Sequence, residues 1–265
     1  MLSEDLVTRY LGGLLEGDRI RCRAVVEELL QSGVAASRVY FDLIWPLMVE
    51  LEKLGRADKI TPLQEHLATR INRTIVDQLQ NKLPRRAGRG RKVVICTGQT
   101  DCGELGGQVL ADLFETNGWE VRLTGGGVSN DDLLVFLSDY RPDVLLIYGS
   151  TASEAPQIRR LIDTVRVIGA SPMLRIMLSG GLFSRAEGLW EEIGADLFAA
   201  DAIEALNLAD DDAAVARVQP QRMIKRRRKR QLTVAAAQGT DGGSGNDGGQ
   251  AQLQRDLSSG SGPQV

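Results

Sequence analysis

The sequence predicts an α/β protein: an N-terminal four-helix bundle, then a flavodoxin/Rossmann-like, doubly wound sheet of five parallel strands, then a disordered C-terminal tail. Three observations carry that expectation. Apolar residues up to about Leu83 recur at spacings of three and four, as in Val25, Val26, Leu29 and Leu30. From Lys92 to about Ala209, five short β-branched runs alternate with helix-length segments. Beyond that point the apolar content is too low to offset the entropy of ordering a chain.

In the helical part, Gly17-Asp18, Ser32-Gly33 and Gly55 punctuate the periodic runs, and Thr61-Pro62 supplies an N-cap followed by proline at the first helical position. Four helices are predicted, roughly at 3–16, 18–31, 36–54 and 62–82, which makes 1–83 the first domain. On the last of them, Leu63, Leu67, Ile71 and Ile75 are expected to face the core, with His66, Arg70, Arg73 and Asp77 on a flanking polar stripe. Trp45, beside Leu43, Ile44 and Leu47, reads as core.

The basic, glycine-containing stretch at 84–91 has no periodicity and reads as a linker. After it come KVVICT, EVRLT, DVLLIY, RIMLS and ADLFAA, the five strands of an α/β domain over 92–209. Helix-length segments between them imply right-handed parallel crossovers, and in such sheets ligands bind beyond the carboxyl ends of the strands. The tail, 210–265, opens on three aspartates and carries the basic run Lys225 to Arg230 before a Gly/Ser-rich stretch.

The net charge of −3 gives no global attraction to nucleic acid or to anionic membranes. The run at 225–230 could make nonspecific nucleic-acid contact or serve only as a solubilising or autoinhibited tail, and no motif for sequence-specific DNA reading accompanies it. No window offers the roughly 20 apolar residues of a membrane span, and the N-terminus lacks a basic n-region, so a cytoplasmic protein is expected. Cys22, Cys96 and Cys102 are odd in number and far apart, which argues for free thiols. A single histidine, His66, excludes catalysis by a histidine pair and any multi-histidine metal cage.

Three strand ends carry unusual sequence: Gly98 to Gly107 with Asp101, Cys102, Gly103 and Gly106; Gly149-Ser150-Thr151-Ala152-Ser153; and Ser179-Gly180-Gly181. Glycine permits close backbone approach and hydroxyls give short donors and acceptors, so the three loops can line one polar, tight slot. Turn formation alone would also account for each loop taken singly.

Taken together, in this order, these loops resemble the cobalamin (vitamin B12)-binding domain family, whose pattern is Asp-x-His-x-x-Gly, then Ser-x-Leu, then Gly-Gly. Asp101, Gly106, Ser150 and Gly180-Gly181 stand in matching places, while Gly103 replaces the histidine and Ala152 the leucine. Gly118-Trp119-Glu120-Val121 and Gly194-Ala195-Asp196 are similar to further family segments. The resemblance implies a cofactor over the first loop, with Asp101, Gly103, Gly106, Ser150, Thr151, Ser153, Gly180 and Gly181 around it, the last two making room for its nucleotide tail. With Gly103 the lower cobalt ligand of the family is lost; Cys102 is an alternative soft ligand or a simple loop thiol.

The bundle ahead of this domain resembles those of corrinoid methyl-transfer proteins and of cobalamin-dependent transcriptional regulators. Glu65-His66-Leu67-Ala68-Thr69 is similar to the regulators' segment whose histidine lies over the upper cobalt face, which makes Glu65 and His66 candidate cofactor contacts and His66 a candidate metal ligand. Leu54-Gly55 stands where those regulators carry a tryptophan. The resemblance implies a non-enzymatic regulatory or sensor protein that binds cobalamin and acts through protein partners, self-association or transcriptional regulation. A cofactor-free interaction scaffold and a corrinoid carrier for methyl transfer are the alternatives.

Overall fold

The computed structural model describes residues 2–169 and 173–211. The tail from 212, with the basic run and its expected disorder, lies outside the described residues.

The bundle begins with α1 (Glu4–Glu16) and α2 (Arg19–Gln31). Ser3 and Asp18 cap them through side-chain oxygens, and Gly17 ends α1 in the left-handed region at φ 73°. The third helix is composite: α3 (Ala36–Val39), a π-helical turn (Tyr40–Ile44) and α4 (Trp45–Arg56). Pro46 has no N–H for the Asp42 carbonyl, and the Trp45 N–H bonds back to the Tyr40 carbonyl across the wider turn. One consequence is that Tyr40 and Trp45 are both buried and both reach the α/β domain.

The fourth helix, α5 (Pro62–Gln80), starts as expected: Thr61 Oγ1 accepts from Gln64 N at 3.2 Å while Gln64 Oε1 accepts from Thr61 N at 3.0 Å. Its core face differs from expectation. Ile71 and Ile75 are buried, but Leu63 is 65% and Leu67 37% exposed. The buried face is instead Ala68, Ile71, Asn72, Ile75, Val76 and Leu79, because the first turns of α5 run past the end of the bundle core. Tyr10 donates to Asn72 Oδ1 at 2.8 Å and gives that core one satisfied polar contact.

The second half alternates strand and helix: β1 (Lys92–Thr97), α6 (Asp101–Thr116), β2 (Glu120–Gly125), α7 (Asn130–Tyr140), β3 (Val144–Tyr148), a 3₁₀ turn (Ala152–Glu154), α8 (Ala155–Ile168), β4 (Arg175–Ser179), α9 (Gly181–Arg185), α10 (Leu189–Ile193), β5 (Leu197–Ala199) and α11 (Ala202–Asp210). The strands pair in parallel in the order β2-β1-β3-β4-β5, so the chain reverses direction between β1 and β3, the place where doubly wound sheets bind ligands. Inward residues of one sheet face, Val93, Ile95, Leu146, Tyr148 and Met177, join α6, α11 and the bundle in one continuous core. The other face packs on α7, α8, α9 and α10.

The basic stretch at 84–91 is held to the α/β domain. Arg86 N and Arg89 N donate to Thr116 and Gly118 carbonyls, and Arg89 pairs with Asp210 at 2.6 Å, which also accepts from Trp119 Nε1 at 3.1 Å. Among the described residues no helix is long and apolar enough to cross a membrane.

Candidate functional site

The strand-end loops meet at the carboxyl edge of the sheet, where the bundle docks. Thr100 caps α6 by accepting from Gly103 N at 3.0 Å, and its hydroxyl lies 2.9 Å from Ser150 Oγ, joining the ends of β1 and β3. That pair occupies the space beside Gly103. A methyl group there would stand 2.7 Å from Thr100 Oγ1 and 3.4 Å from Ser150 Oγ.

The loop after β3 is closed by its own acid. Glu154 Oε2 accepts from Ser150 N at 2.8 Å and from Thr151 N at 3.1 Å, while Thr151 and Ser153 hydroxyls are 3.0 Å apart. The same carboxylate covers Gly98, where any Cβ would collide with it. Gly180 has φ 100°, and a Cβ there would collide with the Gly149 carbonyl. Gly181 lies under an ion pair of Glu52 and Arg185, with no room for a side chain.

That ion pair is one of several contacts from bundle to sheet. Glu52 of α4, 8% exposed, accepts from Arg185 Nη1 at 2.9 Å and pairs with Arg56 at 3.1 Å, while Arg185 Nη2 donates to the Ser150 carbonyl at 2.8 Å. His66 Nδ1 lies 2.7 Å from Asp101 Oδ2, with the side chains 50% and 45% exposed. Arg73 pairs with Glu104 at 2.9 Å, and Gln108 donates to Asp77 at 2.6 Å. Deeper in, Tyr40 hydroxyl bonds Asp112 Oδ2 at 2.9 Å, Gln80 donates to Asp112 Oδ1 at 2.9 Å, and the Trp45 and Tyr148 rings meet edge to face at 6.1 Å.

Beside these ion pairs, burial at the joint favours the neutral forms of Cys102 and Glu65. Burial, with Glu52 and Glu65 nearby, pushes the Cys102 thiol up to about 12, which disfavours the thiolate at neutral pH. Burial and then Glu52 raise Glu65 above the usual glutamate range; its carboxylate lies against Gly55 at the end of α4. Among the described residues no three His, Cys, Asp or Glu side chains are grouped to hold a metal ion.

The structure thus brings His66 to Asp101, and Gly103 to Ser150, and sets Gly180-Gly181 beside the β3 loop. Gly106 lies slightly lower on α6, its Cα face against the Tyr148 ring. Sequence reasoning missed Glu52, Arg185, Tyr148 and Glu154. Only the last had a local sign, the Thr151-x-x-Glu154 capping pattern.

Fold and site define a helical bundle docked on the ligand-binding edge of a doubly wound sheet. Residues 6–80 match one B12 binding domain family and residues 91–207 match a second, so the chain belongs to the B12-binding domain proteins. Among solved structures it is similar to the monomethylamine corrinoid protein of Methanosarcina barkeri, at 17% identity and a TM-score of 0.67 over 78% of this chain and 98% of that one. That likeness is one of fold. A cobalamin-binding protein from Desulfitobacterium hafniense (18% identity, TM-score 0.41, 78% and 97% covered) and the methanol:cobalamin methyltransferase complex of Methanosarcina barkeri (15%, 0.41, 81% and 81%) are more distant in shape. No curated protein matches the chain.

Proposed function

We propose that this protein is a cobalamin-binding regulatory protein in which the cofactor competes with the contact that closes the bundle onto the sheet. The observation that carries this reading is the 2.7 Å pairing of His66 with Asp101. These are the two residues that family resemblance assigns to opposite sides of a corrin, one on each domain.

The donor set suits such a ligand. An imidazole nitrogen can ligate cobalt, and Glu65, Thr100, Ser150, Thr151 and Ser153 offer hydrogen-bonding partners for a corrin's amide side chains. Position 103 offers nothing, because glycine has no ligand and the Thr100–Ser150 hydroxyl pair fills the space beside it. Position 103 would therefore give the metal no side chain, and a base below cobalt would have to be the cofactor's own or come from elsewhere. When bound, cobalamin would supply a redox-active cobalt whose upper face exchanges ligands.

What the chain's own residues do follows from the gradient of burial across the joint. His66–Asp101 and Arg73–Glu104 are partly exposed, and pairs of that kind are worth roughly 0–1 kcal/mol each. Tyr40–Asp112–Gln80 and Trp45–Tyr148 are deeper. The exposed end is the one that opens, and the buried end is the hinge. A ligand shifts this equilibrium only by its difference in affinity for the two arrangements. A protein partner, or a second copy of this chain, reads the surface of α5 and α6 that opening frees.

Hydrogen exchange with and without hydroxocobalamin tests this: exchange at the first turns of both α5 and α6 should change together. Unchanged exchange with corrin retained would contradict the competition. Filled glycine positions at 98, 149 and 181 favour a second reading, a cofactor-free scaffold, in which no corrinoid is retained at all. Acceptance of a methyl group from a methylated donor by loaded protein would favour a corrinoid carrier.

A further inference from the structure

The end of β3 holds a large aromatic side chain, Tyr148, at the place where sheet, α6 and bundle meet. Tyr148 is 1% exposed and lies in a cross-strand row with Thr97 of β1 and Ser179 of β4, under α6. Gly106 is where α6 meets its ring: a methyl group at 106 would stand 2.5 Å from Tyr148 Cζ. Trp45 closes the other side edge-on.

On either side of the ring are two buried hydroxyls, Thr97 Oγ1 and Ser179 Oγ, that make no hydrogen bond. Orphaned hydroxyls are costly in a core, and they are expected where a space is shaped for a polar guest rather than for side chains alone. The Tyr148 ring thus fills the space between a side-chain-free position of α6 and two polar flanks.

We propose that Tyr148 is a built-in plug of the slot that would otherwise take the nucleotide tail of a corrinoid, and so sets the ligand specificity of the site. The inference rests on the cobalamin-binding reading. The corrin is then held only at the bundle joint, the tail stays outside the sheet, and the protein does not distinguish cobalamin from cobinamide, which lacks the nucleotide.

The test is equilibrium binding of hydroxocobalamin and of aquocobinamide to the full chain, to Tyr148→Phe and to Tyr148→Ala, with thermal melts to show that each is folded. Wild type and Tyr148→Phe should bind both corrinoids within about threefold of each other, and Tyr148→Ala should prefer cobalamin by about tenfold or more. EPR of the Co(II) form should show the base nitrogen on cobalt in wild type and its loss in Tyr148→Ala. A wild type that prefers cobalamin tenfold, or a folded Tyr148→Ala with unchanged preference, overturns the plug. Should Tyr148→Ala not fold, Tyr148→Leu is read by the same criteria. If wild type retains neither corrinoid, the cobalamin-binding reading fails on its own. The plug then stands if emptying position 148 creates cobalamin retention, and falls if it does not.

Discussion

The Tyr40 hydroxyl, 2.9 Å from Asp112 Oδ2, ties the π-helical turn of the bundle to the middle of α6, the first helix of the α/β domain. It is also 2.9 Å from the Val76 carbonyl. A single phenolic proton cannot serve both acceptors well. When Asp112 is protonated, the carboxyl can donate to Tyr40 and Tyr40 to Val76, so every group is satisfied.

Burial pushes the Asp112 carboxyl up to about 6, against the lowering effect of its bonds to Tyr40 and Gln80. The folded protein therefore holds this proton to higher pH than the unfolded chain does. Its contribution to stability is full below about pH 4 and is lost as pH rises to about 6, by on the order of 2–3 kcal/mol. Asp112→Asn should match wild type near pH 4 and exceed it near pH 7.5 in denaturant melts. Equal differences at the two pH values would contradict the assignment.

Gly180→Ala forces a side chain into φ 100° and against the Gly149 carbonyl. It should cost about 2 kcal/mol or more, read as a lower urea midpoint. Gly33→Ala, at φ 87° but with open space around it, serves as the control that pays strain alone and should cost less.

Restoring the family's histidine should not restore a lower ligand. Gly103→His meets Thr100 Oγ1 and Ser150 Oγ and weakens the cap of α6, at about 1 kcal/mol or more. EPR of the Co(II) form should still show the cofactor's own base on cobalt. A histidine nitrogen signal would show that the loop rearranges freely.

Arg185→Met leaves the buried Glu52 with Arg56 as its remaining partner and frees the Ser150 carbonyl. Loss of 1–3 kcal/mol is expected, and a double-mutant cycle with Glu52→Gln should return a coupling on the order of 1 kcal/mol. Additive effects would place the two residues outside one network.

The helical part and the parallel sheet were legible in the sequence because their periods differ: three and four up to Leu83, then short β-branched runs, with Pro62 and the glycine loops as punctuation. Leu63 and Leu67 misled because periodicity says which residues share a face and not where the core ends. The strand-end loops could be found since glycine and hydroxyl clusters are local. The side chains packed among them could not. Tyr148 reads as one more apolar strand residue, and Glu52 and Arg185 are joined by tertiary packing alone, with no spacing to mark them.

The most direct test of the account is the visible absorption spectrum of purified protein after incubation with hydroxocobalamin and desalting, repeated with His66→Ala. The expected result is a retained corrin band, near one equivalent per chain, that shifts when His66 is removed. No retained corrin under any loading condition, or a band indifferent to the substitution, would contradict the claim that the cofactor takes the place of the His66–Asp101 contact.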